Sequence, residues 1–124
     1  MSATIKHGIN CDKDVDLVFN VLKNVDLMPE WSSLIDSVKK ITEEKYEATS
    51  PAGAFTFDWF VDEDNKTCKI STVYMGEKYE STFSVYSENG QTVVSQEVPD
   101  TGVVGKEQVK MDIEFVLRKL VNLA

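Results

Sequence analysis

Asn89-Gly90 constrains this chain more than any other pair of residues. Flanked by alternating apolar positions, it marks a two-residue hairpin whose central residues take positive φ. A turn of that length fixes register: Val85 then faces Val94, Phe83 faces Gln96 and Ser81 faces Val98. Directly opposed side chains share a face, and a slip of one residue turns a whole strand over. Further turn signals stand at TEEK (42–45), SPAG (50–53), DEDN (62–65) and MGEK (75–78). Centring a turn on Gly76-Glu77 sets Tyr74 against Tyr79, Thr72 against Ser81, Ile70 against Phe83 and Cys68 against Val85. A turn on Asp64-Asn65 sets Phe55 against Tyr74, Phe57 against Thr72, Trp59 against Ile70 and Val61 against Cys68. The SPAG turn sets Tyr46 against Phe57 and Ala48 against Phe55. All four turns place the same apolar set on one face. Residues 37 to about 98 therefore read as an antiparallel meander with one aromatic-rich face and one largely polar face carrying Thr56, Asp58, Lys69, Ser71, Glu80, Thr82, Ser84, Ser95 and Glu97.

The period changes at both ends of this meander. Ile5, His7 and Ile9 alternate as a short first strand. Val15, Val18, Phe19 and Leu22 then recur at helical spacing, with Asp12 as the expected N-cap and Asp14 and Asp16 suited to a helix start. A second short helix is expected over VDLMPEWSSLI, capped by Asp26, tolerating Pro29 in its first turn and burying Trp31, Leu34 and Ile35. After a loop loosened by Gly102 and Gly105, GKEQVKMDIEFVLRKLVNLA reads as a long amphipathic helix. Val109, Ile113, Val116, Leu117 and Leu120 form its main stripe. Val104, Met111, Phe115 and Val121 lie roughly opposite, where neighbouring elements or a second copy in a homodimer would cover them.

At 124 residues the chain is one domain, 1–124, with enough length for a core that needs no staples. Twenty-one acids against 13 bases give a net charge of −8, and no basic run, Lys39-Lys40 included, exceeds two residues. That balance excludes a nucleic-acid surface and disfavours anionic membranes. Cys11 and Cys68 are read as free, buried thiols. The N-terminus lacks the apolar core of a secretory signal and no apolar run approaches a membrane span, so a cytoplasmic protein is the expectation.

The segment INCDKDVDLVFNVLKNVDLMPEWSSLIDSVKKI (9–41) resembles the START / Bet v 1-like superfamily, in its polyketide cyclase / lipid-transport branch. The matching positions are Ile9, Val18-Phe19, Leu22, Asp26 and the Pro29-Glu30-Trp31 triplet, and the element order over the whole chain is similar too. The resemblance implies an α+β helix-grip fold: a curved seven-stranded antiparallel sheet, two short helices after strand one, and a long C-terminal helix packed on the concave face. It also implies a cavity for an apolar small molecule, since members bind lipids, sterols, quinones, polyketides or hormones, and a minority are enzymes. The chain departs from the group in its short length and minimal hairpin loops.

The expected pocket wall is Phe55, Phe57, Trp59, Ile70, Thr72, Tyr74, Tyr79, Ser81, Phe83 and Gln96 on the sheet, with Ile113 and Leu117 on the helix. Three of these, Thr72, Ser81 and Gln96, are polar on an otherwise apolar face, and buried polar groups need partners. Binding, with transport as an extension, is the leading reading. A cyclase or aromatase-like enzyme and a filled-core interaction module are the alternatives. No catalytic constellation is visible: His7, the only histidine, has no assignable partner in the sequence. No metal site or cofactor is expected, and Asp62-Glu63-Asp64-Asn65 reads as a solvated turn because it lacks the spaced ligands of a calcium loop.

Overall fold

Alternation at period two, sustained from Ser37 to Pro99, becomes six consecutive antiparallel strands, and a seventh comes from the N-terminus. In this computed structural model, residues 3–33, 35–74 and 76–124 are described, with every side chain but that of Tyr74. The strands are β1 (Thr4–Cys11), β2 (Ser37–Lys40), β3 (Lys45–Ser50), β4 (Gly53–Asp62), β5 (Thr67–Tyr74), β6 (Glu77–Glu88) and β7 (Gln91–Pro99). They form one sheet in the order β1-β7-β6-β5-β4-β3-β2. The first strand thus crosses to pair with the last, His7 opposite Gln96 and Ile9 opposite Val94. At the far edge β2 is only four residues long and carries Lys39 and Lys40, which blunts it against edge-to-edge pairing.

Three of the four expected registers are observed. Phe83 faces Gln96 and Val85 faces Val94 across the Asn89-Gly90 turn. Trp59 faces Ile70 and Phe57 faces Thr72. Tyr46 faces Phe57 and Ala48 faces Phe55. The fourth differs by two residues: Thr72 pairs with Tyr79, Ile70 with Ser81 and Cys68 with Phe83, the last rung being Tyr74–Glu77. Glu77 is therefore in the strand, and Gly76, at φ 81°, supplies the left-handed residue of the turn. A displacement of two keeps every side chain on its expected face, because the strand period is two. One convex-face residue departs from expectation: Ser95 is buried, because Gly8 opposite it lets β1 approach so closely that a Cβ there would come within 3.1 Å of the serine Cβ.

The helices are α1 (Val15–Lys23), a 3-10 turn (Val25–Leu27), α2 (Met28–Trp31) and α3 (Lys106–Asn122). Two caps differ from expectation. Asp14, not Asp12, occupies the N-cap of α1, because β1 runs on through Cys11 and delays the helix. Asn24, not Asp26, accepts the backbone N–H of Asp26 and so caps the 3-10 turn. Trp31 and Ile35 are buried as expected; Leu34 lies outside the described residues. Ile113, Leu117 and Leu120 of α3 are buried with Val109 and Val116 packed beside them. Val121, placed on the outer face by the sequence, packs against the core instead, because α3 rotates it toward the interior near its C-terminus. Met111 and Phe115 do face outward, and Lys119 lies 4.7 Å above the Phe115 ring. Leu117→Ala is expected to lower the unfolding free energy by about 2–5 kcal/mol. Phe115→Ala, two residues away on the outer face, should change it by less than about 0.5 kcal/mol; denaturant titration of the pair checks the assignment of faces.

Candidate functional site

The long helix approaches the sheet most closely at β1 and β7 and meets α1 and α2 along its flank. A polar contact fixes that side. His7 Nε2 on β1 lies 3.2 Å from Glu114 Oε1 on α3, and Arg118 Nε donates to the other carboxylate oxygen at 3.3 Å. The histidine so gains a partner that its sequence neighbourhood could not reveal, since Glu114 is 107 residues away. The hydrogen bond from His7, then the Arg118 bonds and charge, hold the Glu114 carboxyl below its ordinary value of 4.5.

The inward face of the sheet divides into a sealed floor and an open rim. Phe57, Trp59, Ser81, Phe83, Ile113 and Leu117 are buried. Phe55, Ile70, Thr72 and Gln96 are half-buried, and Tyr79 is 37% exposed. Although this ring reaches solvent, burial pushes the Tyr79 hydroxyl above its ordinary value. Tyr74 shares the face by register, but its side chain lies outside the described residues. Aromatic rings connect floor to rim. Tyr46, half-buried, stacks on Phe57 at 5.6 Å and 22°, and Phe55 meets Phe57 at 6.1 Å. Tyr46 belongs to this wall and follows from the same register as Phe57, yet it was not among the expected pocket residues.

The polar groups on this face are met within the protein. Gln96 Nε2 donates to Ser81 Oγ at 2.9 Å, and Thr72 Oγ1 donates to the Thr56 carbonyl at 2.6 Å. Their presence therefore needs no bound molecule to explain it. The indole Nε1 atoms of Trp31 and Trp59 are different: both are buried, and neither has an acceptor among the described residues. Cys68, opposite Phe83, is buried and its thiol is pushed up to about 12 by desolvation and then by Glu63, so it stays protonated; Cys11 is only half-buried, because it closes β1 at the sheet's end. In the DEDN turn, Asp62 accepts from the Asp64 and Asn65 backbones and from the Asn65 side chain, which engages the carboxylate locally.

Two clefts open elsewhere on the surface. One of about 350 Å³ lies on the convex face among Lys45, Asp58, Lys69, Lys78 and Glu80, which pair with one another. The other, about 520 Å³, lies where the β1–α1 connection meets the Gly90 turn. No helix among the described residues is long and apolar enough to cross a membrane.

A seven-stranded antiparallel sheet packed on a C-terminal helix, with two short helices after strand one, is the expected helix-grip fold, which this chain shares with solved structures. Among solved structures it is similar to the di-domain ARO/CYC BexL of the BE-7585A biosynthetic pathway (TM-score 0.76, 15% identity, 95% of this chain and 45% of that one). It is also similar to a START superfamily protein from Mycobacterium smegmatis (TM-score 0.67, 12% identity, 96% and 92%). A third likeness is to truncated norcoclaurine synthase from Thalictrum flavum (TM-score 0.67, 13% identity, 95% and 92%). No protein-family model matches the sequence, and no curated protein does so either.

The His7–Glu114–Arg118 contact makes a pH prediction. A carboxyl whose folded pKa is depressed adds stability above its unfolded value, and that stability is lost as pH falls through the folded value. Glu114→Gln should therefore be less stable than the parent at neutral pH, and the gap should close as pH falls below about 4.5. Denaturant midpoints of the two proteins across that range measure it.

Proposed function

We propose that the chain binds one apolar small molecule on the inward face of its sheet, beside the N-terminal half of α3. The observation that carries this reading is the half-exposed aromatic rim. Tyr46, Phe55, Ile70 and Tyr79 stand on the face that buries the core, yet each keeps solvent-accessible surface. A mostly apolar wall with a few polar groups suits a neutral, hydrophobic ligand. Removing the rim from water would supply affinity, and the Tyr79 hydroxyl would orient a polar end. The fold supports the reading, since two of its structural neighbours are an ARO/CYC and norcoclaurine synthase.

Native mass spectrometry of freshly purified protein tests it. A species heavier than the 14.0 kDa chain by one small organic molecule is expected. Anilinonaphthalene sulfonate should also bind at the rim, and Tyr79→Ala should weaken that binding by about tenfold. A bare-chain mass together with dye binding that ignores the Tyr79 substitution would favour a filled core whose surface serves another purpose.

A further inference from the structure

We propose that the outer face of α3 pairs with the same face of a second copy of this chain, the two helices running antiparallel about a twofold axis level with Ile113. The proposal is independent of the ligand reading, because this face lies on the side of α3 away from the sheet. Met111 and Phe115 are one turn apart on it and are 65% and 57% exposed. Val103 and Val104, just ahead of the helix, are exposed as well. The elements packed on α3 are β1, β7, α1 and α2, and they leave Met111 and Phe115 largely uncovered. Large apolar side chains grouped in this way mark a surface that meets a partner.

The charges around the stripe select a second copy as the occupant. Glu107 stands before Met111, and Arg118 and Lys119 stand after Phe115, so the two ends of the exposed face differ in sign. A twofold axis sets residues equidistant from it against each other. Met111 then meets the partner's Phe115, Gln108 meets the partner's Arg118 and Glu107 meets the partner's Lys119, each contact occurring twice. A parallel pairing would set Glu107 and Lys119 against their own like charges, which is unfavourable. Both charges are available: the Glu107 side chain is 91% exposed, with Lys110 at 4.0 Å, and Lys119 Nζ lies 4.7 Å from the Phe115 ring, beside the apolar centre. The flanking acids are engaged within the protomer, Asp112 by Gln108 at 3.0 Å and Glu114 by His7 and Arg118. Overall α3 carries four bases and three acids in a chain of net charge −8. Two copies can therefore approach through this helix without the repulsion that the acidic remainder of the surface imposes.

Sedimentation velocity over a concentration series tests the pairing. A reversible equilibrium between the 14.0 kDa chain and its dimer is expected, with a dissociation constant on the order of 10–100 μM. Well below that concentration the chain is a monomer, in which Phe115 contributes little to folding. Phe115→Glu should raise the constant about tenfold or more. Glu107→Lys and Lys119→Glu each set like charges together at both ends and should each weaken association about tenfold. Mixed in equal amounts, these two variants should recover the association of the parent, because every cross pair is then attractive. The three substituted positions are exposed, and circular dichroism confirms that the variants stay folded. Monomers at every concentration up to about 1 mM overturn the proposal, and so does a dimer indifferent to Phe115→Glu. Failure of the mixture to recover association overturns the antiparallel arrangement.

Discussion

The register of the meander governs everything packed on it. Four turns hold Phe57, Trp59, Cys68, Phe83, Val85 and Val94 to one side, and α1, α2 and α3 bury their apolar faces against that side. Turning β6 over would expose Phe83 and Val85 and place Glu80 and Thr82 against the helices. The unpaired charge would then be costly in a dry interior. The turns are strongly specified for this reason, with Asn89, Gly90 and Gly76 all in the left-handed region that their positions require.

Helix cover of that face is uneven, and the site follows from the unevenness. Ile113, Leu117 and Leu120 place the C-terminal half of α3 in the core, while His7 and Glu114 tie it to β1. Its first residues, Lys106 to Gln108, are exposed. Tyr46 of β3 and Phe55 of β4 lie on the side of the sheet away from β1 and β7 and, like Tyr79 near the start of β6, remain only partly covered. A helix anchored at one side of a sheet seals the core there and leaves the other side accessible. The same contacts that stabilise the domain so define where a ligand can reach it.

Much of this was legible because it depends on local chemistry and period. Asn89-Gly90, the SPAG turn and the DEDN turn each specify a register within a few residues, and period two carries that specification across each pair of strands. The MGEK segment was less explicit, since a glycine that needs positive φ can sit at either central position of a two-residue turn, and the register moved by two. The caps of α1 and the 3-10 turn were missed because Asp12 and Asp14, or Asn24 and Asp26, are chemically equivalent candidates one turn-step apart. Other features are purely tertiary. Glu114 meets His7 only because β1 crosses to pair with β7 beneath α3, and nothing near either residue encodes that. The division of the wall into floor and rim, which leaves Phe57 buried and Phe55 half-exposed two residues away, depends on where the helix lies rather than on the strand's own pattern.

The choice of tryptophan at positions 31 and 59 is the point where packing alone gives an incomplete account. Phenylalanine would supply an aromatic ring for the contacts with Phe83 and would bring no polar atom into the interior. An unsatisfied buried donor costs about 1–3 kcal/mol, and a domain of this size has a total stability of about 5–15 kcal/mol. Two such donors are a large fraction of that margin. Ser81 and Gln96, on the same inward face, are handled differently: their polar atoms meet each other at 2.9 Å. A chain that neutralises one buried polar pair and keeps two indole donors unpaired around a single ring holds local conflict there, which the consistent packing of the rest of the core offsets.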